Sequence, residues 1–139
     1  MLFSLKRNIP KLSIKINNSE LEEVSETNFL GVQIDNKLNW KAHITHICNK
    51  ISKSIAILRL VRSIFPRNIL KMIYMSLIYS YLNYCNLIWG AAEHGIILPL
   101  FKLQKKAIRI ITNSYYLEHT EPLFKYHKLL TVYQLYVLN

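Results

Sequence analysis

Four cationic side chains recur at helical spacing in the last third of the chain. Lys102, Lys105, Lys106 and Arg109 follow an i, i+3, i+4, i+7 pattern, which places them within an arc of about 100° on a helical wheel. No carboxylate interrupts residues 94–117. A solvated helix face usually carries charges of both signs, whereas a cationic face of one sign is typical of nucleic-acid binders. The pattern predicts contact with nucleic-acid phosphates, and the alternative is a face that is merely solvated.

A second group of residues has the side chains of a metal site. His43, His46 and Cys48 are close in sequence, and imidazole and thiolate are the usual ligands of zinc. On a helix the two histidines lie about 60° apart, and Cys48 lies about 140° from His43. Because three ligands cannot converge from those directions, we expect exposed histidines, a small buried cysteine and no metal site.

Carboxylates are scarce, and only one of them is an aspartate, Asp35. The 139 residues include 18 Lys and Arg against 8 Asp and Glu, which gives a formal net charge of +10 at pH 7. Two-metal polymerases and nucleases position their metal ions with clusters of carboxylates. Glu22 and Glu23 would point to opposite faces of a strand. We therefore expect no catalytic residue and no self-contained metal-dependent enzyme.

The elements that position these side chains follow from composition and periodicity. An apolar share of 51% with only three glycines and four prolines favours a fold that is α+β and mostly α. Residues 12–16 alternate in polarity as a strand does, Asn17-Asn18 suits a turn, and residues 20–24 can form the returning strand. Residues 29–35 are predicted to be one further strand, in which Gly31 marks either a bulge or a functional close approach.

The rest of the chain predicts about four to five helices. With Asn39 as the expected N-cap, apolar residues recur at helical spacing from Trp40 to Phe65. Pro66 ends that helix and can open the next one. A second helix is expected to reach Trp89, with Leu77 and Tyr81 on its apolar face. The third spans residues 97–112. A short fourth helix starts near Thr120, and a fifth starts after Thr131.

One segment is long enough to span a membrane. Residues 72–92 carry no charge over 21 positions, which is the length of a membrane helix. They also include two asparagines and four tyrosines, which are costly inside a bilayer. A central helix in the protein core is therefore favoured over a membrane-associated protein. Because two cysteines are too few for a disulfide framework, we expect an intracellular protein, either cytoplasmic or nuclear.

Several motifs follow one another in an order that is typical of one class of polymerases. The segments are Phe29-Leu30-Gly31-Val32-Gln33-Ile34-Asp35, Leu38-Asn39-Trp40, Leu77-Ile78, Tyr81-Leu82, Tyr84-Cys85, Trp89-Gly90, Leu103-Gln104-Lys105-Lys106-Ala107-Ile108-Arg109, and His119-Thr120 with Pro122-Leu123-Phe124. Together they resemble the reverse transcriptases of non-LTR retrotransposons, the LINE-like and jockey-type elements, over nearly the whole chain. One departure is Ser80, where many members of the family have proline.

The resemblance implies a C-terminal fragment of an RNA-directed DNA polymerase. Residues 1–35 would be the terminal palm strands and a primer-grip-like hairpin containing Phe29, Leu30 and Gly31. Residues 36–139 would be a helical thumb-like domain truncated at its C-terminus. The catalytic aspartates of the parent polymerase, which bind two Mg²⁺, would lie upstream of Met1. The chain itself would hold no cofactor and catalyse no reaction.

The resemblance also implies the partners. Lys105, Lys106 and Arg109 lie in a matching segment and would contact an RNA/DNA template–primer duplex, and the helical wheel adds Lys102. The missing palm and fingers would be the second partner, whereas no membrane and no small-molecule substrate are expected. Two alternatives stay open, namely a stand-alone helical nucleic-acid-binding module and, less favoured, a small membrane-associated protein.

Overall fold

The computed structural model describes residues 1–3 and 13–138, and the fold is α+β and mostly α. Two β-hairpins precede the helices. The strands are β1 (Lys15–Ile16), β2 (Ser19–Glu20), β3 (Glu26–Phe29) and β4 (Val32–Asp35). The helices are α1 (Lys41–Val61), α2 (Arg67–Tyr74), a π-helical turn (Met75–Tyr79), α3 (Ser80–Asn83), α4 (Asn86–Trp89), α5 (His94–Thr112), α6 (Glu121–Tyr126) and α7 (Val132–Leu138).

The first hairpin confirms the predicted turn at two asparagines. Lys15 pairs with Glu20 and Ile16 with Ser19 in antiparallel register. The φ angles of Asn17 and Asn18 are 50° and 64°, which is the conformation of a type I′ turn that asparagine tolerates. All four strand residues are exposed. The start of the predicted strand at Leu12 lies outside the described residues.

The second hairpin corrects the single strand predicted over residues 29–35. β3 and β4 pair from Glu26–Asp35 to Phe29–Val32, and Leu30 and Gly31 form the two-residue turn between them. Gly31 has a φ of 81°, and its N–H donates to Asn28 Oδ1 at 3.0 Å. Gly31 is therefore a turn residue and not a bulge. The turn was missed because Leu30 adopts a positive φ of 48°, which is uncommon for leucine.

The periodicity of α1 correctly predicts its buried face. The row includes Ile44, Ile51 and Leu58, which are at most 3% exposed, and α1 packs along α5 and against β4. The predicted end is wrong, because α1 stops at Val61 and Phe65 is exposed in the following turn. Pro66 is the N-cap of α2, so it opens the next helix as predicted but does not itself end α1.

The predicted second helix is one irregular helix followed by a break. Leu70, Tyr74, Ile78 and Leu82 form its buried row at steps of four residues. These steps pass through the π-helical turn, where the Ser80 N–H donates to the Met75 carbonyl. The wider turn rotates the buried face, so Leu77 is only half-buried and Tyr81 is 37% exposed. This corrects the predicted apolar face.

The helix does not continue through residue 89. Tyr84 is extended, and Cys85 has a φ of 51°, so α4 is a separate short turn. If α2, the π-helical turn and α3 are counted as one, the described residues form about six helices, against the predicted four to five. None of the helices in the described ranges combines the length and the apolarity needed to cross a membrane.

The last three helices follow the predicted order. α5 begins at His94, three residues before the predicted start at residue 97, so Pro99 lies in its second turn. α6 begins after Thr120, and α7 begins after Thr131. Thr131 and Gln134 form a capping box at the start of α7. The Thr131 N–H donates to Gln134 Oε1 at 2.9 Å, and the Gln134 N–H donates to Thr131 Oγ1 at 3.2 Å. All three helices contribute buried residues to the common core.

Candidate nucleic-acid interface

The two faces of α5 differ as its sequence predicts. The core face carries apolar residues such as Leu100, Ala107 and Ile111, each at most 1% exposed. The other face carries the four predicted cations, of which Lys102 is exposed and the other three are half-buried. Long cationic side chains cover part of the surface with their methylene groups while the charge stays in water. The helix is therefore anchored by one face and presents cations on the other.

Lys105 leans toward the α6 side of this face. Its Nζ lies 4.5 Å from the centre of the Phe101 ring, a cation–π arrangement. Both residues line a cavity of about 760 Å³ between α5, α6 and the start of α7. Glu118 and Glu121 also line this cavity, so its charges are of both signs.

Arg109 lies between two depressions and supports the loop after α5. Its Nε donates to the Glu118 carbonyl at 2.9 Å, and its carbonyl accepts from the Ser114 N–H at 2.9 Å. The guanidinium has five N–H donors, so four remain on its two terminal nitrogens. Arg109 lines the 760 Å³ cavity on one side and a smaller depression on the other. Over the described ranges, Arg109 therefore combines one structural hydrogen bond with terminal N–H donors that have no partner.

The smaller depression adds two cations that sequence reasoning missed. It has a volume of about 170 Å³ and is lined by Arg59, Arg62, Lys106, Arg109, Ile110, Ser114 and Tyr116. Arg59 and Arg62 come from the C-terminal end of α1, which packs along α5. The available signal was the acid-free run of residues 36–92. What the sequence did not reveal is that this end of α1 lies beside Lys106 and Arg109.

The primer-grip-like residues lie at the tip of the second hairpin. Phe29 and Leu30 are 63% and 75% exposed. The tip is fastened to α3 because the Tyr84 hydroxyl donates to the Leu30 carbonyl at 2.6 Å. Leu30 and Gly31 border a third cavity of about 500 Å³, together with α1 and α3 residues such as His43 and Tyr81. The hairpin tip and the cations of α5 thus border different cavities.

Asp35 accepts hydrogen bonds from backbone N–H groups just before α1. It is 6% exposed, and its carboxylate accepts the N–H groups of Lys37, Asn39 and Trp40 at 3.0, 3.3 and 3.1 Å. The expected N-cap Asn39 lies one residue earlier than the observed N-cap, Trp40, and its Oδ1 accepts from the Lys41 N–H at 2.9 Å. The single aspartate therefore holds the β4–α1 junction.

The three potential metal ligands, His43, His46 and Cys48, lie in different environments. His43 is 2% exposed, which corrects the prediction of an exposed histidine, and its Nδ1 accepts from the Gln33 N–H at 3.2 Å. Burial, and secondarily the charge of His46, lowers the pKa of His43. Cys48 is half-buried, and burial raises the pKa of its thiol. His43 was misjudged because a histidine beside a strand can replace a missing backbone acceptor.

Over residues 1–3 and 13–138, no three His, Cys, Asp or Glu side chains are grouped so as to hold a metal ion. The Asp35 carboxylate accepts three backbone N–H groups, two at Oδ1 and one at Oδ2. Comparisons of the chain with known protein families, curated proteins and solved structures find no match.

Proposed function

We propose that the chain is the terminal palm and thumb of a non-LTR retrotransposon reverse transcriptase and that it binds the template–primer duplex without a catalytic centre. The observation that most strongly supports the proposal is the cationic face of α5, whose opposite face is packed in the core. Cations on a rigid helix meet the phosphates of a duplex irrespective of sequence. The missing palm and fingers would supply the chemistry and the second partner.

The shape of the second hairpin is consistent with this proposal. The segment Phe29-Leu30-Gly31 forms an exposed turn held against α3 through Leu30. An exposed apolar turn on a fixed base is suited to contact with another macromolecule. In the proposed parent enzyme, that contact is the primer end.

Duplex titrations at several salt concentrations test the proposal. If all four predicted cations engage phosphates, they contribute about −3.6 to the slope of log K against log salt, from roughly −0.9 per contact. Lys105→Ala is expected to weaken binding equally for unrelated sequences and to make the slope less steep by about one. A Lys102/Lys105/Lys106/Arg109 quadruple alanine variant that stays folded with unchanged affinity and slope would contradict the proposal.

A further inference from the structure

The depression between α1 and α5 collects four cations from two helices. Arg59 and Arg62 come from the end of α1, and Lys106 and Arg109 come from α5. The two pairs are more than 40 residues apart in sequence, so only the packing of α1 against α5 unites them. The local surface is therefore a tertiary site and not the outer face of one helix.

No carboxylate neutralises these four cations in the part of the chain that the structure describes. Neither α1 nor α5 contains an acid. The one ion pair found over the described residues joins Lys125 to Glu121 on α6. Like charges gathered in one place repel one another and oppose the compact state. An anion bound in the depression relieves that repulsion.

The dimensions and donors of the depression fit a single phosphate group. Its volume of about 170 Å³ is well below the range of roughly 300–1,000 Å³ of sites that enclose a whole small molecule. Arginine presents planar pairs of N–H donors that match phosphate oxygens. Among the described residues, the Arg109 side chain donates a hydrogen bond only through its Nε, to the Glu118 carbonyl, so its terminal nitrogens are available for this role. Ser114 and the 78% exposed Tyr116 complete the rim.

We infer that Arg59, Arg62, Lys106 and Arg109 bind one backbone phosphate of the nucleic acid. The inference rests on the proposed function and extends it, because it makes α1 a second nucleic-acid-binding element. A strand held at this site crosses from α5 to α1. The contact is therefore not confined to the axis of α5.

The test compares two double variants of α1 that lose the same charge. Arg59→Ala/Arg62→Ala removes the α1 half of the depression. Lys41→Ala/Lys53→Ala removes two exposed lysines of the same helix that do not line it. Binding of the full chain to an RNA/DNA hybrid is measured by fluorescence anisotropy at several salt concentrations. We expect the arginine variant to weaken binding at least tenfold and to reduce the salt slope by about one, because one phosphate contact is lost, and the lysine variant to change affinity less than twofold.

Two further arms keep the outcome decisive. The first arm is an Arg59→Gln/Arg62→Gln variant, whose thermal unfolding is compared with that of the wild type. An unchanged melting temperature with weakened binding shows that the loss of binding does not come from unfolding. Inorganic phosphate is titrated alone, because the alternative is a site for the free ion. Such a site would bind inorganic phosphate tightly, whereas the affinity for the hybrid would not change when the two arginines are replaced. Equal affinities of the two double variants for the hybrid would overturn the inference. If Lys102→Ala/Lys105→Ala still weakened binding, the proposed function would survive that result, whereas wild-type protein without any affinity for the hybrid would overturn both.

Discussion

Gln104 donates a hydrogen bond from its side-chain amide to the hydroxyl of Tyr74 at 3.0 Å, in the interior between α5 and α2. The same amide nitrogen donates to the Leu130 carbonyl at 2.9 Å, and Oε1 accepts from the Val132 N–H at 2.9 Å. Neither Gln104 nor Tyr74 is exposed to solvent. One buried side chain therefore joins α2, α5 and the start of α7, on the side of α5 opposite its cations.

Replacing Gln104 by leucine is expected to destabilise the fold markedly. The variant keeps the volume of the side chain but leaves the Val132 N–H and the Leu130 carbonyl buried without partners, at a cost of about 2–4 kcal/mol in the free energy of unfolding. Tyr74→Phe removes only one hydrogen bond and is expected to cost about 1 kcal/mol. Urea unfolding measures both variants. A Gln104→Leu variant as stable as wild type would show that the amide has no structural role.

Gly90 is expected to tolerate no side chain. A Cβ built at this position would lie 2.5 Å from the Asn86 carbonyl oxygen and 2.8 Å from Cδ2 of Tyr136 on α7. Gly90→Ala must therefore displace α7 or the backbone of α4, at a cost of about 1–3 kcal/mol. Thermal unfolding measures the loss.

A second glycine provides the matched control for that experiment. Gly95 lies in the first turn of α5, and a Cβ there would meet no atom within 4 Å. Gly95→Ala is expected to raise the stability by about 0.5–1 kcal/mol, because alanine reduces the entropy of the unfolded chain and favours helix. Equal effects at both glycines would contradict the steric explanation for Gly90.

Helical periodicity predicted much of the fold because burial in α1 and α5 repeats with the period of the helix. The same logic failed where the backbone departed from regular geometry. The π-helical turn at Met75–Tyr79 moved Leu77 away from the core. A hairpin turn within an apolar segment was not predicted, because it requires a positive φ at Leu30. Neither irregularity has a strong local signal, since both are stabilised by tertiary contacts.

The candidate interface was predictable only along one helix. The spacing of Lys102, Lys105, Lys106 and Arg109 is a property of the sequence, and α5 forms as expected. The proximity of Arg59 and Arg62 depends on how α1 packs against α5. That packing brings together residues that are distant in sequence. A single sequence records which residues are cationic but not which cations become neighbours.

Asp35→Asn is expected to destabilise the junction between β4 and α1. The carboxylate accepts three N–H groups through both of its oxygens, whereas an amide offers only one oxygen as acceptor. The variant therefore leaves at least one partly buried N–H without a partner, at a cost of about 1–3 kcal/mol. Chemical unfolding of the two proteins measures the difference. If Mg²⁺ stabilised the wild type but not the variant, a metal-binding role would replace the structural one.

The isolated chain is expected to catalyse no DNA synthesis. The only aspartate is committed to backbone N–H groups, and the glutamates of the hairpins are exposed on their strands and loops. Primer extension on an RNA template, with Mg²⁺ or Mn²⁺ and purified protein, measures the activity. The control is the same reaction in buffer alone. Extension above that background would show that this chain has a catalytic centre of its own.

The pairing of Gln33 with His43 is expected to make the fold sensitive to acid. His43 Nδ1 accepts the Gln33 N–H at 3.2 Å, which requires that nitrogen to be unprotonated. Burial and the neighbouring His46 lower the pKa of His43 below its ordinary 6.5. The unfolded chain therefore takes up a proton at a higher pH than the native chain does. The stabilisation is fully present above pH 6.5 and is lost as the pH falls through the pKa of the folded state.

Urea unfolding of wild type and His43→Asn between about pH 8 and pH 5 measures this loss, since an asparagine at position 43 does not titrate in that range. The free energy of unfolding of the wild type is expected to fall toward acid, and its advantage over the variant is expected to shrink. His127 contributes in the same direction, because burial and the charges of Lys71 and Arg67 lower its pKa. The comparison is therefore repeated in a His127→Gln background. A constant difference between the two proteins across the pH range would show that His43 does not link the second hairpin to α1 through its neutral form.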